Sequence, residues 1–97
     1  MIVDFYDKGT EDVYNGVNSR QARKTLPVGL RRIALRKFYF LENAVDLEDL
    51  RMPPGNHLEI LHGDRRGQHS IRINDRYRIC FLWCEKGPKR VEIVDYH

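Results

Sequence analysis

The periodicity of apolar residues changes at Gly55, and that change limits the fold more than any other feature of the chain. Before it, Leu30, Ile33, Ala34, Phe38, Leu41 and Val45 recur at spacings of three and four. That is one stripe of an amphipathic helix. After it, His69, Ile71 and Ile73 alternate with Ser70, Arg72 and Asn74. Tyr77, Ile79, Phe81 and Trp83 then alternate with Arg76, Arg78 and Cys80. A period of two belongs to half-buried strands, and short turns between them predict an antiparallel meander. Helices followed by strands give an α+β fold with the helices packed on one face of the sheet.

The details follow from local signals. Residues 2–6 read as a short N-terminal strand, ended by Asp7-Lys8-Gly9. Thr10 is placed to cap a first helix, with Glu11 and Asp12 in its first turn and Gly16 and Asn18 interrupting it. The second and stronger helix starts at Pro27 and ends near Asn43-Ala44, with Arg31, Arg32, Arg36 and Lys37 off its apolar stripe. Residues 47–50 add a turn. His57 to Leu61 reads as a strand, Gly63 to Gly67 as a turn, Asn74-Asp75 as a hairpin and Gly87-Pro88 as a further turn before a last strand through Val91 and Ile93. The inner sheet face is expected to carry Ile71, Ile73, Ile79, Phe81 and Ile93, packed by Leu30, Ile33, Phe38 and Leu41.

With 97 residues the chain has room for one domain, 1–97, and one modest core. A two-domain enzyme or a large cofactor cavity does not fit. No apolar run reaches the ~18–20 residues that span a bilayer, and Met1 to Asp7 lacks a basic signal-peptide start. The expected location is the cytoplasm, with no membrane partner. Cys80 and Cys84 sit four apart in a strand, so their Cα atoms would lie about 13 Å apart, too far for a disulfide. They are expected to be reduced thiols.

Seventeen Lys and Arg against 14 Asp and Glu give 17 − 14 = +3, unevenly spread. Residues 13–41 hold seven basic residues and no acid; residues 65–78 hold five arginines and one acid, Asp75. Arginine grips phosphate at two points, so a polyanion is a plausible partner, beside the plainer possibility of a solvated basic face. There is no Walker A, G-x-G-x-x-G or H-E-x-x-H motif, and the four histidines do not fall at metal-ligand spacings. No metal and no cofactor are expected. What remains suits metal-free acid–base work on a phosphate. Glu59 and His62 lie at the end of one strand, Arg72 and Arg78 on its neighbours, and Tyr96 and His97 end the chain beside them. Arg65 and Arg66 add cations for substrate. A base, a fixed cation and an acid are what cleavage of RNA by its own 2′-hydroxyl requires. A set of ordinary surface residues on a small sheet is the other reading.

Gly55-Asn56-His57-Leu58-Glu59, Gly63-Asp64-Arg65-Arg66-Gly67, Ser70-Ile71-Arg72-Ile73-Asn74, Tyr77-Arg78-Ile79-Cys80-Phe81 and Val94-Asp95-Tyr96-His97 closely resemble the HigB-type toxins, the plasmid-maintenance killer branch of the RelE/ParE superfamily. The resemblance spans nearly the whole chain and is most specific in residues 48–81 and at the Asp-Tyr-His end. It implies a RelE-like toxin encoded beside a HigA-like antitoxin with a helix-turn-helix domain, meeting operator DNA only through that antitoxin. It also implies ribosome-dependent endonucleolytic cleavage of mRNA. The family's functional arginine falls on Arg78 and its terminal pair on Tyr96 and His97, with Asp95 beside them. His62 stands where the family usually has lysine, Glu59 where some members have His, and His69 where Trp is common.

Two further function classes stay open. A ParE-like relative would bind and inhibit DNA gyrase without catalysis, and would need none of the acid–base groups at 59, 62, 96 and 97. A plain RNA-binding module would need an aromatic stacking face, whereas Tyr77 and Trp83 read as core.

Overall fold

The computed structural model describes residues 1–96 of the chain, so His97 lies outside the described residues. Three helices (α1, Lys8–Asn15; α2, Arg20–Thr25; α3, Arg31–Asn43) precede four strands (β1, Glu59–Ile60; β2, Gln68–Arg72; β3, Tyr77–Cys84; β4, Gly87–Asp95). The strands form one antiparallel sheet in the order β1-β2-β3-β4. Ile71 pairs with Ile79, and Ile79 with Ile93. All three are buried in one cluster with Phe81, Val91 and, from the helices, Val13, Ala34, Phe38 and Leu41. The expected α+β fold is therefore present, with the helices on the face that carries these residues.

Several local expectations need correction. Ile33 is 41% exposed and Val45 87% exposed. The chain enters α3 through a 3₁₀ turn, Val28–Leu30, and leaves it at Ala44. Ala34, Phe38 and Leu41 are the buried residues of that helix, and Phe40 and Leu30 pack at the cluster's edge. A third helix, α2, folds back on α1. Ser19 caps it by accepting from Ala22 N at 3.0 Å, and the Ser19 hydroxyl donates to the buried Asp12 carboxylate. That bond, with Lys8 nearby, holds the Asp12 carboxyl below its usual range despite burial. Gly9 lets α1 and α2 touch: a Cβ there would lie 2.8 Å from the Gln21 carbonyl oxygen.

Asp7, not Thr10, caps α1, accepting from Thr10 N at 2.7 Å. Thr10 is instead buried, and its hydroxyl accepts from Ile93 N at 3.0 Å, tying α1 to β4. The expected strand at 2–6 is reduced to one bridge, Phe5 to Val91, running parallel to β4. Val3 N, Tyr6 N and Val91 N each still donate across this edge. The last hairpin turns at Glu85-Lys86, so Gly87 and Pro88 already belong to β4. Strand 57–61 shrinks to Glu59–Ile60 because His57 sits in the left-handed region at φ 46. Among the described residues, no helix is long and apolar enough to cross a membrane. Both cysteines are free thiols.

His69 lies on the core face, opposite Phe81 and stacked on its ring at 6.3 Å. Its Nδ1 is buried without a hydrogen-bond partner. Burial pushes its pKa below 6.5, the Arg51 charge works the same way, and Glu48 opposes it. Folding thus favours neutral His69. Its contribution is fully present above the unfolded pKa and is lost as pH falls below it. His69→Phe is expected to lose less thermal stability than the wild type between about pH 7.5 and about pH 5. Parallel falls in the two melting midpoints would contradict this.

Candidate active site

Strand alternation separates two sheet faces. Glu59 pairs with Ser70, Ser70 with Cys80, and Cys80 with Glu92, so these four side chains share the face away from the helices. Arg72 and Arg78, paired with each other, share it too. A sheet face without helices would normally be wet, yet Ser70 and Cys80 are fully buried. Arg78, Arg65, Glu92 and Tyr96 all act on Cys80, Tyr96 through its hydroxyl and the others through their charge.

Arg78 is the centre of this cluster. Its Nε donates to Ser70 Oγ at 2.7 Å, and its Nη2 donates to the His57 carbonyl oxygen. Nη2 is also 2.9 Å from the Glu59 carboxylate. The Arg78 side chain is only 12% exposed, whereas Glu59 is 59% exposed. The guanidinium is therefore held by the body of the protein, and its anion is held loosely from the solvent side. A charge fixed this way needs no rearrangement when negative charge develops on a ligand.

Arg65, from the 3₁₀ turn Gly63–Arg65, donates to Glu92 Oε1 and to Gln68 Oε1, each at 3.1 Å. The Glu92 contact strengthens its hold on its proton. Tyr96 places its hydroxyl 3.6 Å from Cys80 Sγ. Burial of the phenol end, then the Cys80 contact, pushes its pKa up to about 12, with Arg65 and Arg78 pulling the other way. Tyr96 is thus a protonated phenol at neutral pH. Cys80 is held above the usual thiol range mainly by burial, so it is an inert thiol rather than a nucleophile.

The chain is anchored at Asp95 and Tyr96. Tyr96 N donates to the Arg76 carbonyl oxygen at 2.7 Å, and Arg76 grips both oxygens of Asp95 at 3.0 and 2.8 Å. Asp95 pairs with Tyr77 in register, so it belongs to this anchor at the sheet's end, and not to the face of Arg78. Arg72 ion-pairs with exposed Asp75. Its charge reaches Lys37, whose pKa is lowered by burial first and then by Arg36 and Arg72. His62 and Arg66 are exposed loop residues, and among the described residues neither side chain has a hydrogen bond or ion pair. The structure thus brings Glu59, Arg65, Arg78 and Tyr96 together, sets Arg72 beside them and leaves His62 and Arg66 on the rim. His97 follows Tyr96 and lies outside the described residues. Sequence reasoning missed Ser70, Cys80 and Glu92. Each shares the even parity of Arg78 in its strand pairing, a signal available only once the register is known. Among the described residues no three His, Cys, Asp or Glu side chains converge to hold a metal.

The uncovered sheet face of this small α+β fold carries an anchored arginine, Arg78, a second arginine, Arg65, and the protonated phenol of the penultimate Tyr96. The family model for the RelE-like toxin of type II toxin-antitoxin system HigB matches residues 3–97. The chain is 35% identical to Toxin HigB-1 of Vibrio cholerae serotype O1 over 85 residues, covering 88% of this chain and 86% of that protein. It is 36% identical over 58 residues to an uncharacterised protein of Haemophilus influenzae, covering 60% of this chain and 57% of that one. The fold is similar to a chain of the YoeB-YefM complex from Staphylococcus aureus at a TM-score of 0.60 and 15% identity, covering 100% of this chain and 98% of that one. The chain belongs to the HigB-like family of RelE-like toxins. As a toxin of a type II toxin–antitoxin system it has an antitoxin as partner.

Proposed function

We propose that the protein is a ribosome-dependent endoribonuclease that cuts mRNA by metal-independent acid–base catalysis. The observation that carries this reading is Arg78, buried to its guanidinium and anchored by Ser70 and His57, with only the exposed Glu59 carboxylate occupying the place of a phosphate. A scissile phosphate displaces Glu59 and takes two guanidinium nitrogens. The 2′-oxygen attacks the adjacent phosphorus and the bond to the 5′-oxygen breaks, leaving a 2′,3′-cyclic phosphate and a 5′-hydroxyl. One group must take the 2′-hydroxyl proton and another must supply a proton to the 5′-oxygen. Tyr96, protonated at neutral pH, is suited to donate. His97, the next residue in the sequence, is assigned the other proton transfer, with His62 as the alternative base. Arg65, Arg66 and Arg72 add positive potential for the flanking phosphates, and Asp95 holds the terminus through Arg76.

The remaining assignments follow from that target. Ribosomes and mRNA are the partners in action, in the cytoplasm. The exposed cations Arg20, Arg23, Lys24, Arg32 and Arg36 form a basic surface for ribosomal RNA or for an acidic protein surface. The antitoxin is HigA-like, with a helix-turn-helix domain through which operator DNA is reached. Purified protein added to mRNA with and without programmed ribosomes tests the reading. Cleavage only in the presence of ribosomes is expected. Absence of cleavage together with inhibition of gyrase supercoiling would replace it with the non-catalytic reading.

A further inference from the structure

A cavity of about 350 Å³ opens on the same sheet face, lined by Tyr6, Asp64, Arg65, Gln68, Arg90 and Glu92. It shares Arg65 and Glu92 with the cluster around Tyr96 and Cys80. Glu92 is opposite Cys80 and Val94 is opposite Arg78, so Arg90 lies two residues before Glu92 on β4 and four before Val94, about 13 Å from it at strand spacing. The cavity thus adjoins the cluster around Cys80, on the same face as Arg78 and further along the sheet.

Its far wall has an unusual construction. The Arg90 guanidinium lies over the Tyr6 ring at 5.3 Å, and Tyr6 is 56% exposed. Arg90 has φ 50, a left-handed conformation that a non-glycine residue adopts at a cost. It sits where β3 and β4 slip register between Cys80 and Leu82, a bulge that re-aims the side chain. Asp4 holds that conformation by accepting from Arg90 N at 2.6 Å, and the N-terminal edge brings Tyr6 alongside through Tyr6 N to the Val91 carbonyl oxygen. His57, the other non-glycine residue with positive φ among the described residues, serves Arg78. Gln68 and Asp64 add an amide and a carboxylate able to meet the polar edge of a ring.

We infer that the Tyr6–Arg90 pair is a stacking platform for a nucleobase of the strand that flanks the scissile phosphate, with Gln68 and Asp64 facing that base's edge. The inference rests on the ribonuclease reading and adds the subsite that positions its substrate. An aromatic ring and a guanidinium plane offer a flat, sequence-tolerant surface to a base, and a purine presents more area than a pyrimidine. Tyr6→Phe keeps the ring, Tyr6→Ala removes it, and Arg90→Gly removes the guanidinium at a position whose φ suits glycine.

The test is single-turnover cleavage on programmed ribosomes, with purine or pyrimidine placed on either side of the cut. For Tyr6→Ala the half-saturating protein concentration is expected to rise about 5- to 100-fold, more than any change in maximal rate. Its purine preference is expected to shrink, Tyr6→Phe to behave as wild type, and Arg90→Gly to resemble Tyr6→Ala. Melting midpoints confirm that each variant is folded. Wild-type cleavage with an unchanged half-saturating concentration and unchanged base preference in a folded Tyr6→Ala or Arg90→Gly would overturn the platform alone. No cleavage by the wild type would overturn the ribonuclease reading and the platform with it.

Discussion

Arg78→Ala is expected to slow mRNA cleavage on programmed ribosomes by about 10²–10³-fold or more, the usual consequence of removing a preorganised charge from a transition state. The variant should still fold. Arg78 lies on the sheet face away from the helices, its ionic partner Glu59 is exposed, and the losses are the part-buried hydrogen bond to Ser70 and the exposed one to the His57 carbonyl. Each is worth about 1 kcal/mol. Arg78→Lys should recover only part of the rate, because an ammonium is a point charge. It cannot hold Ser70 and His57 as the guanidinium fork does and still offer a donor to a phosphate oxygen. Growth arrest on induction gives a quick readout, and the cleavage rate gives the magnitude. A folded Arg78→Ala that cleaves at the wild-type rate would remove Arg78 from the chemistry.

Deleting His97 is expected to cost about 10²–10⁴-fold in single-turnover rate, the range for loss of a positioned proton-transfer group. The rest of the chain should be unaffected. The end of β4 is already secured by Tyr96 N on Arg76 and by the two-point grip of Arg76 on Asp95. A change in melting midpoint larger than that of an ordinary surface substitution would contradict this. If the deletion is folded and fully active, His62 takes over as the candidate base, and His62→Ala becomes the informative variant.

The elements with a clear period were legible in advance, and the others were silent for physical reasons. Ala34, Phe38 and Leu41 lie on the buried stripe that spacing predicts. Ile33 and Val45 satisfy the same spacing, yet both are exposed: Ile33 sits about 100° around α3 from Ala34, at the stripe's margin, and Val45 lies beyond the end of the helix at Asn43. Helix α2 contains one buried apolar residue, Ala22, so no stripe could reveal it. Its only signal was Ser19 in a capping position. At the site, Arg78 and Tyr96 could be singled out by type and by resemblance. Their physical basis could not, because Ser70, Cys80 and Glu92 join them only through strand register. Arg90 illustrates the limit: its conformation and its contact with Tyr6 come from a bulge and a pairing 86 residues apart, which no local pattern encodes.

Cleavage of RNA through its own 2′-hydroxyl, with Arg78 on the phosphate and protons moved by side chains, needs that hydroxyl as the nucleophile. That requirement is tested most directly by single-turnover cleavage on ribosomes programmed with an mRNA carrying one 2′-deoxy nucleotide on the 5′ side of the cut. The predicted result is cleavage of the all-ribose message, to a 2′,3′-cyclic phosphate and a 5′-hydroxyl, and none at the 2′-deoxy position. Cleavage of the 2′-deoxy message at an undiminished rate would contradict the account, since the phosphorus would then have another nucleophile.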